Sequence, residues 1–72
     1  MPQYSENPIE SAYSLYGSGA MQDVQVLCQE ILRNQPKNFE AIYLSGLAHC
    51  RMGDTKTGRR LIKRSCKIYP RI

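Results

Sequence analysis

The sequence predicts an all-α fold: four helices in two antiparallel helix–turn–helix hairpins. Apolar residues recur at helical spacing, and no stretch alternates as a half-buried strand does. Glycine and proline separate the apolar stretches. The two halves of the chain also match at an offset of 34 residues, which pairs Gly19 with Gly53 and Pro36 with Pro70. A fixed period of this length is typical of stacked helical repeats.

The first hairpin is predicted on either side of a glycine-rich turn. Asn7 suits an N-cap, Pro8 suits the first helical position, and the helix runs to about Tyr16. Its regularly spaced apolar residues are Ile9, Ala12, Tyr13 and Tyr16. The second helix covers about Met21–Asn34, and Pro36 ends it. Its apolar face carries Val24, Leu27, Cys28, Ile31 and Leu32, and its polar face Gln22, Gln25, Gln29 and Arg33.

The second hairpin follows the same plan. Asn38 can cap a third helix over Phe39–Met52, and Gly53-Asp54 then supplies a turn, since glycine adopts the left-handed backbone common at helix ends. The fourth helix covers about Lys56–Tyr69 and divides into two arcs. The basic arc carries Lys56, Arg59, Arg60, Lys63, Arg64 and Lys67, and the apolar arc Leu61, Ile62, Ser65, Cys66, Ile68 and Tyr69.

Small residues stand where two helices of a hairpin must cross. Ala12 and Gly46 lie on the first helix of each pair, and Gly58 and Ser65 lie on the fourth helix. Glycine inside a helix costs about 1 kcal/mol relative to alanine. We therefore expect a close helix crossing to compensate for Gly58, and a bulky residue at Gly46 to destabilise the fold.

Size and composition limit the class of protein. The 72 residues suffice for one small domain, 1–72, and no apolar run approaches the length of a membrane span. The first 22 residues lack a signal-peptide pattern. Three cysteines, Cys28, Cys50 and Cys66, are an odd number at wide spacing, on apolar helical positions. These features favour a reducing, cytoplasmic location.

The residues offer little for catalysis. His49 is the one histidine, so neither a zinc cluster nor a histidine-based triad can be assembled. Adjacent helical residues point about 100° apart, which argues against a dyad of His49 with Cys50. The Gly17-Ser18-Gly19 stretch follows a helix and lacks the downstream lysine of a phosphate-binding loop. We expect no enzyme activity, no metal and no cofactor.

The period and the small-residue positions together resemble the tetratricopeptide repeat family, with one repeat at about 5–38 and a second at about 39–72. Ile42 stands at the first large position of the second repeat, Gly46 at its small position and Pro70 at its close. Ser45 and His49 depart from the family pattern, which has leucine and an aromatic residue there. The resemblance implies a short right-handed α-solenoid.

The resemblance also implies a scaffold that binds a protein or peptide partner in a groove lined by the first helix of each repeat. Carried over by repeat position, the groove residues are Ile9, Tyr13, Tyr16, Tyr43, Leu47, Cys50 and Arg51, with Lys37 and Asn38 at the edge. The alternative is that these residues pack against a neighbouring repeat or simply lie on the surface. The lysine and asparagine of the family's carboxylate clamp are missing at these places, so the expected ligand is apolar.

Two repeats are fewer than the three or so that such arrays need, and no capping helix follows Tyr69. The Leu61, Ile62, Cys66 and Tyr69 stripe would then be partly bare. We expect either that the chain is the N-terminal part of a longer array, or that a partner or a second copy covers this stripe as a homo-oligomer. A third reading makes the chain a substrate-recognition segment of a larger enzyme.

Charge is unevenly distributed along the chain. Residues 54–72 carry seven basic residues and one acid, whereas residues 1–53 carry three basic residues and five acids. The basic arc of the fourth helix can be a solvated face, a dock for an acidic protein, or a contact for nucleic-acid phosphates. The stacking aromatics of a nucleic-acid site are missing apart from Tyr69, which disfavours the third reading.

Overall fold

The computed structural model of the chain describes residues 8–69. They form four helices and no strand: α1 Pro8–Gly17, α2 Met21–Asn34, α3 Phe39–Arg51 and α4 Thr55–Ile68. The all-α class and the positions of the four helices are therefore confirmed. The predicted bounds hold for α2, while α3 ends one residue earlier and α4 lies one residue earlier than expected.

The helix ends follow from local chemistry. The Asn38 side chain accepts a hydrogen bond from the Ala41 backbone N–H (3.1 Å), which confirms the predicted cap of α3. Gly19 and Gly53 have φ values of 87° and 94°, the left-handed conformation that glycine adopts without steric penalty. Asp54 directly precedes α4 and caps it, because its side chain accepts a hydrogen bond from the Thr57 backbone N–H. The predicted cap at Asn7 and the closing Pro70 lie outside the described residues.

Consecutive helices pack in antiparallel pairs. The start of α3 meets the end of α4, where the Phe39 ring stacks on the Tyr69 ring at a centroid distance of 4.5 Å. The middle of α3 meets the first turn of α4, where the Gly46 and Gly58 backbones touch. In α2 and α3, Ile31 packs near Ala41 at one end. Helix α1 lies against both α2 and α3.

Two groups of buried residues, together with the fully buried Ile42, form the core. The larger joins three helices and consists of Ala12, Val24, Cys28, Leu44 and Ala48, each fully buried. The smaller consists of Ile9, Ile31 and Ala41. Small side chains dominate the α3–α4 contact instead, where Gly58 and Ser65 are the buried residues of α4. Most side chains of α4 are therefore exposed to solvent.

The glycine pair allows the close crossing that the sequence predicts. A Cβ atom on Gly46 would lie 2.9 Å from the Gly58 carbonyl oxygen and 2.9 Å from Ile62 Cγ1. A Cβ atom on Gly58 would lie 2.6 Å from the Gly46 carbonyl oxygen. All three distances are shorter than van der Waals contact, so side chains at either position would push the helices apart.

None of the helices in residues 8–69 has the length and apolar character needed to cross a membrane.

Candidate binding surfaces

The structure places most of the predicted groove residues on one face, where α1 lies beside α3. Tyr13 on α1 is 41 % exposed, and its surroundings include Glu40 and Tyr43 of α3. Partial burial raises the pKa of Tyr13, and Glu40 and Tyr43 raise it further. The Tyr13 hydroxyl therefore stays protonated at neutral pH and is available as a hydrogen-bond donor.

A second contact joins the other ends of α1 and α3. The Arg51 guanidinium lies over the Tyr16 ring, with the Arg51 Cζ atom 5.3 Å from the ring centroid. Arg51 Nη1 also donates a hydrogen bond to the Tyr16 hydroxyl at 3.4 Å. The ring thus holds the exposed cation at a defined place. Leu47, on the same side of α3, is half-buried and packs against the core.

These five residues form what we call the tyrosine face: Tyr13, Tyr16, Tyr43, Leu47 and Arg51. It combines aromatic rings with polar tips, an apolar patch and a positioned cation. Tyrosine and arginine are enriched among the residues that carry binding energy at protein interfaces, because they offer large contact area together with hydrogen bonding.

Two predicted groove residues do not belong to this face. Ile9 is 5 % exposed and packs in the core with Ile31 and Ala41, so its assignment to the groove is wrong. Cys50 is also wrongly assigned, because its thiol lies against Gly58 of α4. Both errors have the same cause. Packing decides how each helix is rotated about its own axis, and the position of a residue in the repeat does not specify that rotation. At the groove edge, Asn38 is engaged as a helix cap.

A polar cluster between α2 and α3 escaped the sequence analysis. Ser45 Oγ donates to Gln25 Oε1 at 2.8 Å, and Gln25 Nε2 donates to the Ser45 carbonyl oxygen at 3.2 Å. His49 Nδ1 lies 2.7 Å from Gln25 Nε2 and 2.8 Å from the Ser45 carbonyl oxygen. Gln25 is therefore not on the solvent face of α2. Gln25 precedes the buried Cys28 by three residues, and this spacing places the two side chains on the same side of a helix. The sequence therefore contained a signal that Gln25 faces α3.

The cysteines carry no assembled chemical site among residues 8–69. Burial raises the pKa of the Cys28 thiol to about 11, so this sulfur remains a protonated core group at neutral pH. Cys66 is exposed on α4 and Cys50 is partly buried, and all three thiols are free. The described residues contain no cluster of His, Cys, Asp and Glu that could hold a metal ion.

Comparison with protein-family models, with curated proteins and with solved structures found no match to this chain. The tetratricopeptide resemblance therefore rests on the 34-residue period and on the residues quoted for it.

The basic arc of α4 is fully presented to solvent. All six of its cations are exposed: Lys56, Arg59, Arg60, Lys63, Arg64 and Lys67. Beside it, the apolar stripe of α4 is partly bare. Leu61 and Ile62 are half-buried, whereas Cys66, Ile68 and Tyr69 are exposed. Charged and apolar surface therefore lie next to each other along this helix.

A trough between α1 and α2 is the feature that sequence reasoning missed altogether. It has a volume of about 1050 Å³ and is lined by Pro8, Glu10, Ser11, Ser14, Leu15, Ser18, Asp23, Val26, Leu27 and Glu30. Three acids and no base stand among these residues. Val26, at 58 % exposure, is an unusually bare apolar side chain within it. The trough lies on the α1–α2 side, and the tyrosine face is formed by α1 and α3.

Proposed function

We propose that this chain is a protein–protein interaction module of the tetratricopeptide type, whose tyrosine face binds a peptide or helix of a partner protein. The observation that carries the proposal is the contact of Arg51 with Tyr16, which joins α3 to α1 on the surface where Tyr13 is 41 % exposed and Tyr43 is half-buried. Residues that are distant in sequence meet there, and the rings of Tyr16 and Tyr43 are only partly buried while Tyr13 is exposed. Such a surface can present aromatic contacts to an apolar ligand.

The repeat assignment adds support. The glycines with left-handed backbone, Gly19 and Gly53, are 34 residues apart, and each lies in the turn after the first helix of its pair. The small residues Ala12 and Gly46, also 34 apart, are both buried at helix crossings. In this proposal 1–72 is one domain of two repeats, the first over about 5–38 and the second over about 39–72. The free thiols support a reducing compartment such as the cytoplasm.

Selection of peptides from a displayed library tests the tyrosine face directly. Peptides enriched on immobilised 1–72 would be measured for affinity by fluorescence anisotropy. Tyr43→Ala should weaken binding at least about tenfold, as expected for an aromatic anchor, while Met52→Ala removes an exposed apolar side chain elsewhere and should leave it unchanged. Equal affinity for Tyr43→Ala and the parent chain would refute the proposed site.

Nucleic-acid binding by α4 is the second candidate, because six exposed cations share one helical arc. Phosphate contacts would make affinity fall steeply with salt, whereas apolar peptide binding should change little between about 50 and about 300 mM. The double variant Arg60→Glu/Arg64→Glu should abolish the former and spare the latter. Titration of labelled single-stranded RNA against both proteins separates the two candidates.

A further inference from the structure

We infer that the trough between α1 and α2 binds α4 of a second copy of this chain, so that copies associate head to tail. This contact is separate from the tyrosine face and goes beyond the peptide-binding function proposed above. It joins the acidic side of one copy to the basic side of the next. Each chain carries one of each surface.

The trough offers an apolar floor with an acidic rim. Leu15 and Leu27 are half-buried in it and Val26 is exposed, while Glu10 and Glu30 are exposed acids of α1 and α2. Asp23, which is also exposed, adds a third negative charge. A helix that enters this trough must bring apolar side chains flanked by cations, because a neutral or acidic helix would leave the rim charges unpaired.

Helix α4 has this complementary chemistry. Arg59 and Lys63 are exposed on the edge of the basic arc that adjoins Ile62 and Cys66. Ile62 is only half-buried and Cys66 is exposed, so the edge combines apolar surface with positive charge. The other cations of the helix raise the potential that steers an acidic surface toward it.

The chain contains an internal template for this contact in the packing of α2 on α3. There Gln25 of α2 bonds Ser45 and approaches His49, and Cys28 of α2 is fully buried beside Leu44. Thirty-four residues after Gln25 and Cys28 stand Arg59 and Ile62. Cys28 is covered by α3, whereas Ile62 stays partly exposed because residues 8–69 contain no helix beyond α4.

The residues that stand 34 positions before the α2-facing residues of α3 line the trough. Four of the α3 residues that meet α2 are Leu44, Ser45, Ala48 and His49, and their counterparts 34 residues earlier are Glu10, Ser11, Ser14 and Leu15. All four counterparts line the trough. Placing α4 of one copy on α1 of the next therefore repeats the packing of α2 on α3, with Arg59 beside Ser11 and Leu15. The acids of the α2 wall then act on the basic arc through their charge rather than by contact, because α2 and α4 do not touch each other within the chain.

The charges differ from the template in a complementary way. The contact of α2 with α3 contains the neutral residues Gln25 and Leu44. At the corresponding positions, α4 carries the cation Arg59 and the trough carries the acid Glu10. The two surfaces lie on different helices, so the contact is heterologous. A heterologous contact builds rings or open chains of copies, whereas a self-complementary contact stops at a dimer.

Sedimentation velocity over a wide dilution series tests the proposal with two charge-reversed variants of the full chain. One reverses the helix, Arg59→Glu/Lys63→Glu, and the other reverses the trough, Glu10→Lys/Glu30→Lys. All four side chains are exposed, so the fold tolerates the changes, and circular dichroism would verify it. We expect the parent chain to form species larger than dimers and each variant alone to remain monomeric. An equimolar mixture of the two should associate again, since each reversed surface meets a reversed partner.

The matched control is Arg60→Glu/Arg64→Glu, which changes the net charge equally but lies on the other edge of α4. It should weaken association less than about tenfold, while each paired variant should weaken it more. A parent chain that stays monomeric at every concentration overturns the proposal. So does association of the trough variant alone, which would indicate contact between two α4 helices, or failure of the mixture to associate.

Discussion

A Cβ atom on Gly58 would lie 2.6 Å from the carbonyl oxygen of Gly46, which means that α3 and α4 cross backbone to backbone. This single relationship explains how a helix with six exposed cations and few buried side chains is held in place. The close approach replaces the large apolar side chains that other helix pairs use. It also makes the crossing intolerant of any side chain.

Alanine at Gly46 or Gly58 should therefore destabilise the protein by about 1–3 kcal/mol, because overpacking outweighs the gain in helix propensity. Gly17→Ala is the matched control. Gly17 lies in α1 with open space around its Cβ position, so alanine there should be neutral or slightly stabilising. Urea unfolding followed by circular dichroism measures all three. Equal stability of Gly46→Ala and Gly17→Ala would contradict the close crossing.

The polar cluster of α2 and α3 should contribute to stability out of proportion to its size. Gln25→Ala removes the partner of the buried Ser45 Oγ and of the half-buried His49. Leaving such polar groups unsatisfied costs about 1–3 kcal/mol. Gln29→Ala, an exposed position on the same helix, should change the free energy of unfolding by less than about 0.5 kcal/mol. Thermal unfolding of both variants gives the comparison. A loss at Gln25 no greater than that at Gln29 would show that the cluster is not structural.

The Phe39–Tyr69 ring pair fastens the last residue described in the structure to the start of α3. Tyr69→Ala should lower the free energy of unfolding by roughly 1 kcal/mol, the range of stacked aromatic pairs. Tyr69→Phe keeps the ring and should retain most of that stability. If the phenylalanine variant loses as much as the alanine variant, the hydroxyl rather than the stacking is responsible.

Acid should destabilise the start of α4. The hydrogen bond from the Thr57 backbone N–H lowers the pKa of the Asp54 carboxyl. A group with a lowered folded-state pKa stabilises the protein above its unfolded-state pKa, and this contribution disappears as the pH falls through the folded-state value. The melting temperature of the parent chain should exceed that of Asp54→Asn at neutral pH and converge with it in acid.

The thiols should differ sharply in reactivity. Cys66 is exposed, whereas Cys28 is fully buried with a pKa of about 11, and alkylation requires an accessible thiolate. Iodoacetamide at pH 8, followed by mass spectrometry, should modify Cys66 promptly and Cys28 after addition of denaturant. Prompt labelling of Cys28 in the native protein would indicate that the core opens locally.

Much of the local structure could be predicted because its causes are local. The cap at Asn38, the turn at Gly53 and the glycine crossing all depend on the conformational range or size of single residues. The groove was predicted less well. Tyr13 stays exposed and Tyr16 meets Arg51, but Ile9 turns into the core and Cys50 turns toward α4. A few tens of degrees of helix rotation separate these outcomes, and side-chain packing decides that rotation.

The sequence by itself determined four helices, their approximate ends, the 34-residue period and the separation of charge along the chain, because spacing and composition encode these features directly. The tertiary structure decided which residues meet across helices: Gln25 with His49, Arg51 with Tyr16, and the residues that line the trough. Such contacts depend on how each helix rotates and crosses its neighbour. Those angles minimise the packing energy of the whole assembly, and no single stretch of the chain specifies them.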